Sequence, residues 1–230
     1  MKTTKIVAEQ DAILAWHWLP DNGKLAHEPH SLVEPGQVLE VEPPVVICEN
    51  GLHASIKAID ALYYAPGAKI ERVLCWGEVV QQEDKLAAQY RKCLWVADAT
   101  RTLHEFAIWN AKNALTLAKV DDERYWNALR VKERWLDGNA TVQELAAAWA
   151  AARAAAMDAA WAAAWAAAWA AAMAAARAAA WAAARAAAMD AAGAAARAAA
   201  MDAAWAAAWA AANSELEQRL ELLYTAEAVK

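Results

Sequence analysis

Two histidines in the first hundred residues have the side chains best suited to acid–base chemistry. His17 lies in AWHWL and His53 in GLHAS, so both have apolar neighbours. Histidine exchanges a proton near neutral pH, and a carboxylate such as Glu78 in WGEVV could complete a small catalytic constellation. The segments are short, and packing of both histidines in a core is the interpretation that we favour.

The order of these residues suggests one enzyme class as an alternative. A strand histidine, a Gly-x-His-x-Ser segment and a later glutamate suggest an ADP-ribosyltransferase-like cleft, with Glu78 as its carboxylate and NAD or another nucleotide as substrate. The pair Tyr63 and Tyr64 would fit a core equally well. We therefore expect no catalysis and no cofactor, and keep the nucleotide-using enzyme with His17, His53 and Glu78 as the alternative.

The three cysteines offer a second kind of chemistry. Cys48, Cys75 and Cys93 could ligate zinc together with His53. Their spacing matches no zinc finger or ribbon, so we expect no metal. An odd number of cysteines without a CxxC pair indicates a reducing, cytoplasmic compartment and buried thiols. Cys93 follows two cations, but neighbours on a strand point to opposite faces, which disfavours a reactive thiol there.

The largest feature of the chain carries no such chemistry. From residue 149 to 209, every fourth position holds a residue other than Ala. These sixteen sites contain seven Trp, four Arg, four Met and Gly193. Nearly every residue between them is Ala, the best helix former, so residues 145–213 should be helical. Residues 153–168 and 197–212 are identical, which indicates a recently expanded repeat.

The spacing of four limits how these helices pack. Four residues turn through about 400°, so each large residue is displaced by about 40° from the last. A long coiled coil needs a period near 3.5 or 3.67, whereas four or five tetrads span an arc of about 120–160°, a sensible buried face. We expect the repeat to fold back at Asp190–Gly193 into a bundle, with one very long helix as the alternative.

Tryptophans in such number should be buried against something. Seven Trp left in water would be a solubility liability, so we expect a protein partner or self-association, with a homo-oligomer favoured. The residues expected to make these contacts are Trp149, Arg153, Trp161, Trp165, Trp169, Trp181, Trp205 and Trp209.

The rest of the chain differs from the repeat. Residues 1–98 contain all the Pro and β-rich runs, which predict a small α+β domain. Residues 99–230 have helical periods, with a capping box at Thr141–Glu144 and a helix end at Gly138. The predicted fold is thus α+β, a β-rich domain followed by an all-α Ala-rich bundle. Predicted strands are Lys5–Ala8, Leu14–Leu19, Val38–Val41, Val45–Cys48, Ile70–Val80 and Tyr90–Val96, with a helix at Ile56–Ala65.

Charge and hydropathy exclude two classes of partner. The net charge is −6, and the repeat balances four Arg against three Asp, so no nucleic-acid binding is expected. Residues 159–176 lack charge, but they are mostly Ala with Trp along their whole length rather than at the ends. We therefore predict no membrane span, and no signal peptide at the N-terminus.

Two groups of motifs resemble known families. ENGLHAS (49–55), ALYYAPG (61–67), WGEVV (76–80) and EDKLAA (83–88) resemble an uncharacterised domain common in phage-encoded proteins. From residue 103, LHEFAIWNAKNAL, ERYWNALRVKERWLDG, VQELAAAWAAARAAA and NSELEQRLELL resemble a helical family labelled as immunity proteins, whose members carry Ala-rich tracts with Trp and Arg. A DDxRP-like run of that family is matched only in part, since no Pro follows Asp121–Arg124.

The resemblance implies an interaction role and carries no catalytic residues. We therefore predict a non-enzymatic protein–protein interaction or oligomerisation module, of the kind that a phage immunity-like or anti-defence protein would be. Besides the enzyme, a second alternative is a structural spacer or filament-forming helix.

Overall fold

The computed structural model describes residues 3–25, 31–158 and 206–226. The chain divides into two compact units. The first unit joins Met1–Phe106 to Ala210–Lys230, and the second unit is Ala107–Trp209. The sequence-based division into residues 1–98 and 99–230 differs from this one, because it placed the C-terminal residues with the helices and not with the strands.

Six strands and five helices occur in the described parts of the chain. The strands are β1 (Thr3–Val7), β2 (Ile13–Leu19), β3 (Val38–Glu40), β4 (Leu52–Ala54), β5 (Lys69–Gln81) and β6 (Leu86–Asp98). The helices are α1 (Ala58–Tyr63), α2 (Thr100–Leu117), α3 (Glu123–Leu136), α4 (residues 142–158) and α5 (residues 206–226), and a 3-10 turn occupies Glu9–Asp11.

A curled antiparallel half-barrel forms the core of the first unit. The long hairpin of β5 and β6 is its centre, with β1 and β2 paired along β5, and β3 and β4 along β6. Register shifts at Arg72/Val73 and Trp76/Val79 interrupt the hairpin, and such irregularities increase strand twist and bending. Gly77 is required at the second one, because its φ is 83° and a Cβ there would lie 2.7 Å from the Tyr90 ring.

Two main-chain hydrogen bonds bring the edges of the curled sheet together. The N–H of Trp16 donates to the carbonyl of Ser55 at 2.8 Å, and the N–H of Ser55 donates back at 2.9 Å. Ser55 directly follows β4, so the two bonds connect β2 to the end of β4. Strand pairing therefore continues from β2 through β5, β6 and β4 back to β2. The inward side chains of these strands therefore share one enclosed interior.

Helix α5 belongs to the first unit from residue 210 onward, although it lies at the far end of the chain. Leu216 and Leu220, one turn apart, are completely buried. Tyr224 stacks on Trp95 of β6, with ring centroids 5.0 Å apart. Residues that follow the repeat by only a few positions are thus part of the β-rich core.

Helix α5 also completes the start of α1. The first N–H groups of a helix have no partner within it, and Lys57 at the N-cap of α1 gives no side-chain bond. Instead, Glu217 Oε1 accepts from the N–H of Ala58 at 3.2 Å, and Asn213 Oδ1 accepts from that of Ile59 at 3.1 Å. A helix more than 150 positions away therefore caps α1.

The predicted fold class was wrong in its second half. The chain is not a β-rich domain followed by an all-α Ala-rich bundle, because its terminal helix packs on the curled sheet. An apolar stripe such as the one that contains Leu216 and Leu220 fits a sheet as well as another helix. The expected strand at Val45–Cys48 is also wrong, since these residues form a turn closed by a Val46–Asn50 bridge.

The helices at the start of the second unit have well-defined ends. Asp122 caps α3 by accepting from the N–H of Arg124 at 2.9 Å, and Gly138 follows α3 with a φ of 74°. The capping box is confirmed, because the N–H of Glu144 donates to Thr141 Oγ1 at 3.1 Å and its carboxylate accepts from the N–H of Thr141 at 2.7 Å. Gly193 and the choice between a folded and a straight repeat lie outside the described residues.

Candidate functional site

A buried ionic cluster occupies the interior of the half-barrel. His17 on β2 lies directly opposite Glu71 on β5, so both side chains project from one face of the sheet. Nδ1 of His17 is 2.7 Å from Glu71 Oε1, and the Arg91 guanidinium on β6 is 3.2 Å from the same oxygen. The side chains of Glu71 and Arg91 are 1% and 3% exposed, so this ion pair is almost free of solvent.

Arg91 links the second histidine to the cluster. Its Nη1 donates to the main-chain oxygen of His53 on β4 at 2.7 Å. Its Nε is buried without a hydrogen-bond partner among the residues that the structure describes. The arginine thus ties β4, β5 and β6 together, and its charge is balanced by Glu71.

The cluster shifts the proton affinities of its members. Burial would raise the pKa of Glu71, but the charge of Arg91 and the hydrogen bond from His17 outweigh it, and the pKa is lowered. Burial and the charge of Arg91 lower the pKa of His17 to about 4, against the opposing effect of Glu71. At neutral pH, His17 is therefore uncharged and donates its Nδ1–H to an ionised Glu71.

A histidine oriented by a buried carboxylate is one half of a nucleophile-activating pair. In the described residues, no hydroxyl or thiol forms a hydrogen bond with His17, whose one hydrogen-bond partner is Glu71. The carboxylate is already engaged by a guanidinium and an imidazole. These contacts fit a network that fixes the barrel interior, and buried charges are stable only when paired in this way.

The structure brings together two of the three residues predicted for catalysis. His17 and His53 both belong to the cluster through Arg91. Glu78 lies seven residues beyond Glu71 on β5, about 20 Å along the strand, and its N–H donates to Gln89 Oε1 at 3.4 Å. The enzyme hypothesis with Glu78 as the carboxylate stays a prediction, and no observed contact favours it.

Glu71 and Arg91 were not identified from the sequence. Each stands within a strand of mostly apolar residues, in IERVLCW and QYRKCLW. The signal was a charge at an inward strand position, but inward and outward positions are known only once the register is known. To predict that two such charges meet across β5 and β6, one must also know where the register shifts between these strands occur.

The cysteines separate into two groups. Cys75 and Cys93 are buried, and burial raises the pKa of each thiol to about 12. Cys48 is exposed, so the expectation that all three thiols are buried was wrong for this one. Within the described ranges, no group of three or more His, Cys, Asp or Glu side chains is arranged to hold a metal ion.

Helix α4 contains the first part of the tetrad repeat. Ala148 of α4 is buried against Ala128 and Val131 of α3, and Ala152 packs against the same cluster. Trp149, Arg153 and Met157 face away, and Trp149 and Met157 are 55% and 61% exposed. These three residues are called the outward row. In the described part of α4, the large residues are thus exposed, and small side chains such as Ala148 and Ala152 form the face that packs on α3.

Outside the outward row, one expected contact residue, Trp209, and one charged residue of the repeat, Asp158, lie in the described part of the chain. About a third of the Trp209 side chain is exposed, at 36%. Asp158 at the end of α4's described part pairs with Arg124 of α3 at 3.0 Å, an ion pair between helices. The remaining candidates lie outside the described residues, namely Trp161, Trp165, Trp169, Trp181 and Trp205.

Comparison with protein-family models, with curated proteins and with solved structures gives no match for this chain. Among the described helices, none is both long and apolar enough to span a bilayer.

Proposed function

We propose that the chain is a non-enzymatic protein-binding module that self-associates through the outward row of α4. The observation that supports this proposal is the exposure of Trp149 and Met157 on a helix whose opposite face is packed. A Trp side chain offers about 150–250 Å² for burial. With 55% exposed, Trp149 has about 100 Å² left to bury, worth roughly 2–3 kcal/mol.

Self-association is favoured over a different partner by the repeat itself. Residues 153–168 and 197–212 have one sequence, so the chain carries the same pattern of large residues twice. A surface that meets its own copy forms an isologous contact, which closes into a small oligomer. Binding of a phage or host protein, as the immunity-family resemblance implies, would use the same residues.

The compartment is part of the proposal. The three cysteines are free thiols, and one of them is exposed, which suits a reducing environment such as the cytoplasm. The acidic net charge of −6 disfavours nucleic acid as the partner.

The test compares self-association of the full chain with that of two variants. Trp149→Ala with Met157→Ala removes both apolar side chains of the outward row, and alanine keeps the helix. Leu117→Ala on α2 is the matched control, since this leucine is 81% exposed but lies outside the row. Sedimentation equilibrium should show a discrete small oligomer that the double variant weakens by about tenfold to a hundredfold and the control leaves unchanged.

Each other outcome counts against the proposal. If the chain is a monomer at all concentrations, the proposed self-association is wrong. If the double variant associates as strongly as the unchanged chain, the outward row is not the surface that associates. Species that grow without limit would instead support the filament-forming alternative.

A further inference from the structure

The outward row on α4 has a cation between two apolar side chains. Trp149, Arg153 and Met157 follow one another at intervals of four residues, and all three are exposed. Leu145, four residues before Trp149, is half-buried and packs beside the cluster on α3. Every residue between these four positions is Ala. The surface of α4 therefore carries a single line of large side chains, and the alanines beside it allow a second helix to approach closely.

Arg153 has no charged partner among the residues that the structure describes. Two neighbouring arginines do have such partners, since Arg124 pairs with Asp158 of α4 and Arg134 pairs with Glu144. The guanidinium of Arg153 also does not lie over the ring of Trp149 on its own helix, whereas Lys132 lies over Trp135 on α3. The exposed charge is therefore free to contact a second molecule.

A second copy of α4 that runs antiparallel to the first presents the same line in reverse order. When the two lines overlap completely, Trp149 lies opposite Arg153 of the other copy, and Leu145 lies opposite Met157. Two-fold symmetry makes each contact twice. Successive large residues are displaced by about 40° around the helix, so Trp149 and Arg153 lie about 20° on either side of the centre of the line. This central pair therefore makes the closest contact.

The charge of Arg153 distinguishes this arrangement from the others that symmetry allows. In a parallel pair, or in an antiparallel pair shifted by one tetrad, the two Arg153 side chains face each other, and like charges across an interface are unfavourable. Complete antiparallel overlap instead places each guanidinium over an indole ring, whose face attracts cations. The line from Leu145 to Met157 is thus complementary to itself in one orientation.

We propose that two copies of the chain associate with their α4 helices antiparallel, with Arg153 of each copy over the Trp149 ring of the other. This inference rests on the proposed self-association through the outward row. It adds the orientation of the two copies and assigns to Arg153 the role of selecting that orientation.

The expected size of the effect follows from the two symmetric contacts. A cation over an aromatic ring at an exposed site favours association by about twofold to fivefold. Because the contact occurs twice, loss of the charge at position 153 should weaken the dimer by about fivefold to thirtyfold. If the two arginines faced each other, loss of the charge would strengthen the dimer instead. The direction of the change therefore tests the orientation.

The experiment measures the dimer dissociation constant of the full chain by sedimentation equilibrium. Arg153→Gln removes the charge and keeps a good helix former, and Arg153→Lys keeps the charge. Arg185→Gln is the matched control, because residues 181–190 have the same sequence as residues 149–158 and the net charge changes equally. The same Arg153→Gln change is also made in a Trp149→Leu chain, which lacks the aromatic ring.

Arg153→Gln should weaken the dimer by about fivefold to thirtyfold, Arg153→Lys should weaken it less, and Arg185→Gln should leave it unchanged. In the Trp149→Leu chain, Arg153→Gln should have little further effect, because residues in contact are not additive. That result would identify the ring of Trp149 as the partner of the charge.

Three results would overturn the proposal. If Arg153→Gln strengthens the dimer or leaves it unchanged, while Trp149→Ala with Met157→Ala still weakens it, the row associates in another orientation. If Arg185→Gln weakens the dimer as much as Arg153→Gln, the row meets residues 181–190 and not itself. A chain that is monomeric at all concentrations would remove this contact together with the proposed self-association.

Discussion

The buried histidine makes the stability of the first unit depend on pH in a defined direction. The folded pKa of His17 is about 4, below its ordinary value of 6.5. Between these two pH values the unfolded chain binds a proton that the folded chain does not. Stability from this group is therefore complete above pH 6.5 and is lost as the pH falls towards 4.

The size of the loss follows from the shift. Each pKa unit corresponds to about 1.36 kcal/mol, so the full shift sets an upper bound of about 3 kcal/mol, of which about 2 kcal/mol is lost by pH 5. A quarter of the His17 side chain is exposed, so solvent screening brings the expected loss by pH 5 to about 1–2 kcal/mol. The lowered pKa of Glu71 acts in a different window, because its stability is lost only below its unfolded pKa of 4.5.

The assay is urea unfolding of the full chain by far-ultraviolet circular dichroism at pH values from 7.5 to 5. His17→Gln keeps an N–H that can donate to Glu71 but does not titrate. The difference between the two proteins cancels contributions from other groups. His104→Gln on α2 is the matched control, since it removes a histidine outside the cluster.

The unchanged chain should lose about 1–2 kcal/mol more than His17→Gln between pH 7.5 and 5, and His104→Gln should follow the unchanged chain. Parallel stability curves for the unchanged chain and His17→Gln would refute the reasoning. They would show that His17 has the same pKa in the folded and the unfolded chain, with the effect of Glu71 offsetting those of burial and Arg91.

Two further substitutions test the packing of the first unit. Glu71→Gln leaves the buried charge of Arg91 unpaired and should lower the free energy of unfolding by about 3–5 kcal/mol. Glu71→Leu combined with Arg91→Met should recover most of this loss. A Glu71→Gln chain as stable in urea as the unchanged chain would contradict the prediction. Leu220→Ala should cost about 2–5 kcal/mol because the leucine is fully buried, and Leu222→Ala should change little because it is 62% exposed. Equal effects of the two leucine changes would mean that α5 does not anchor the first unit.

Local patterns predicted most of the individual elements. Runs of residues that favour β-structure predicted a strand at Leu14–Leu19, where β2 runs from Ile13, and at Ile70–Val80, where β5 is one residue longer at each end. Both signals depend only on neighbours in sequence. The place of helix α5 on the sheet depends on contacts such as that of Tyr224 with Trp95, which no local period encodes.

The sites were predicted less well for the same reason. The contact between Glu71 and Arg91 depends on the register of β5 with β6, which is irregular at two positions. The contact between Lys85 and Cys48 joins residues that are 37 positions apart, whereas the cations next to Cys93 are its neighbours in sequence. His17 and His53 were recognised as unusual because their apolar neighbours are visible in the sequence.

The docking of α5 on the half-barrel has a consequence for synthesis of the protein. Residues 107–209 separate the two parts of the first unit, and a ribosome adding about 5–20 residues per second needs roughly 5–20 s to make them. During that interval Trp95 lacks its Tyr224 neighbour, and the first N–H groups of α1 lack the caps from α5. Each tetrad added to the repeat lengthens the time before α5 is made and can cover the sheet. A longer repeat therefore leaves the unfinished sheet open to aggregation for longer at a given rate of translation.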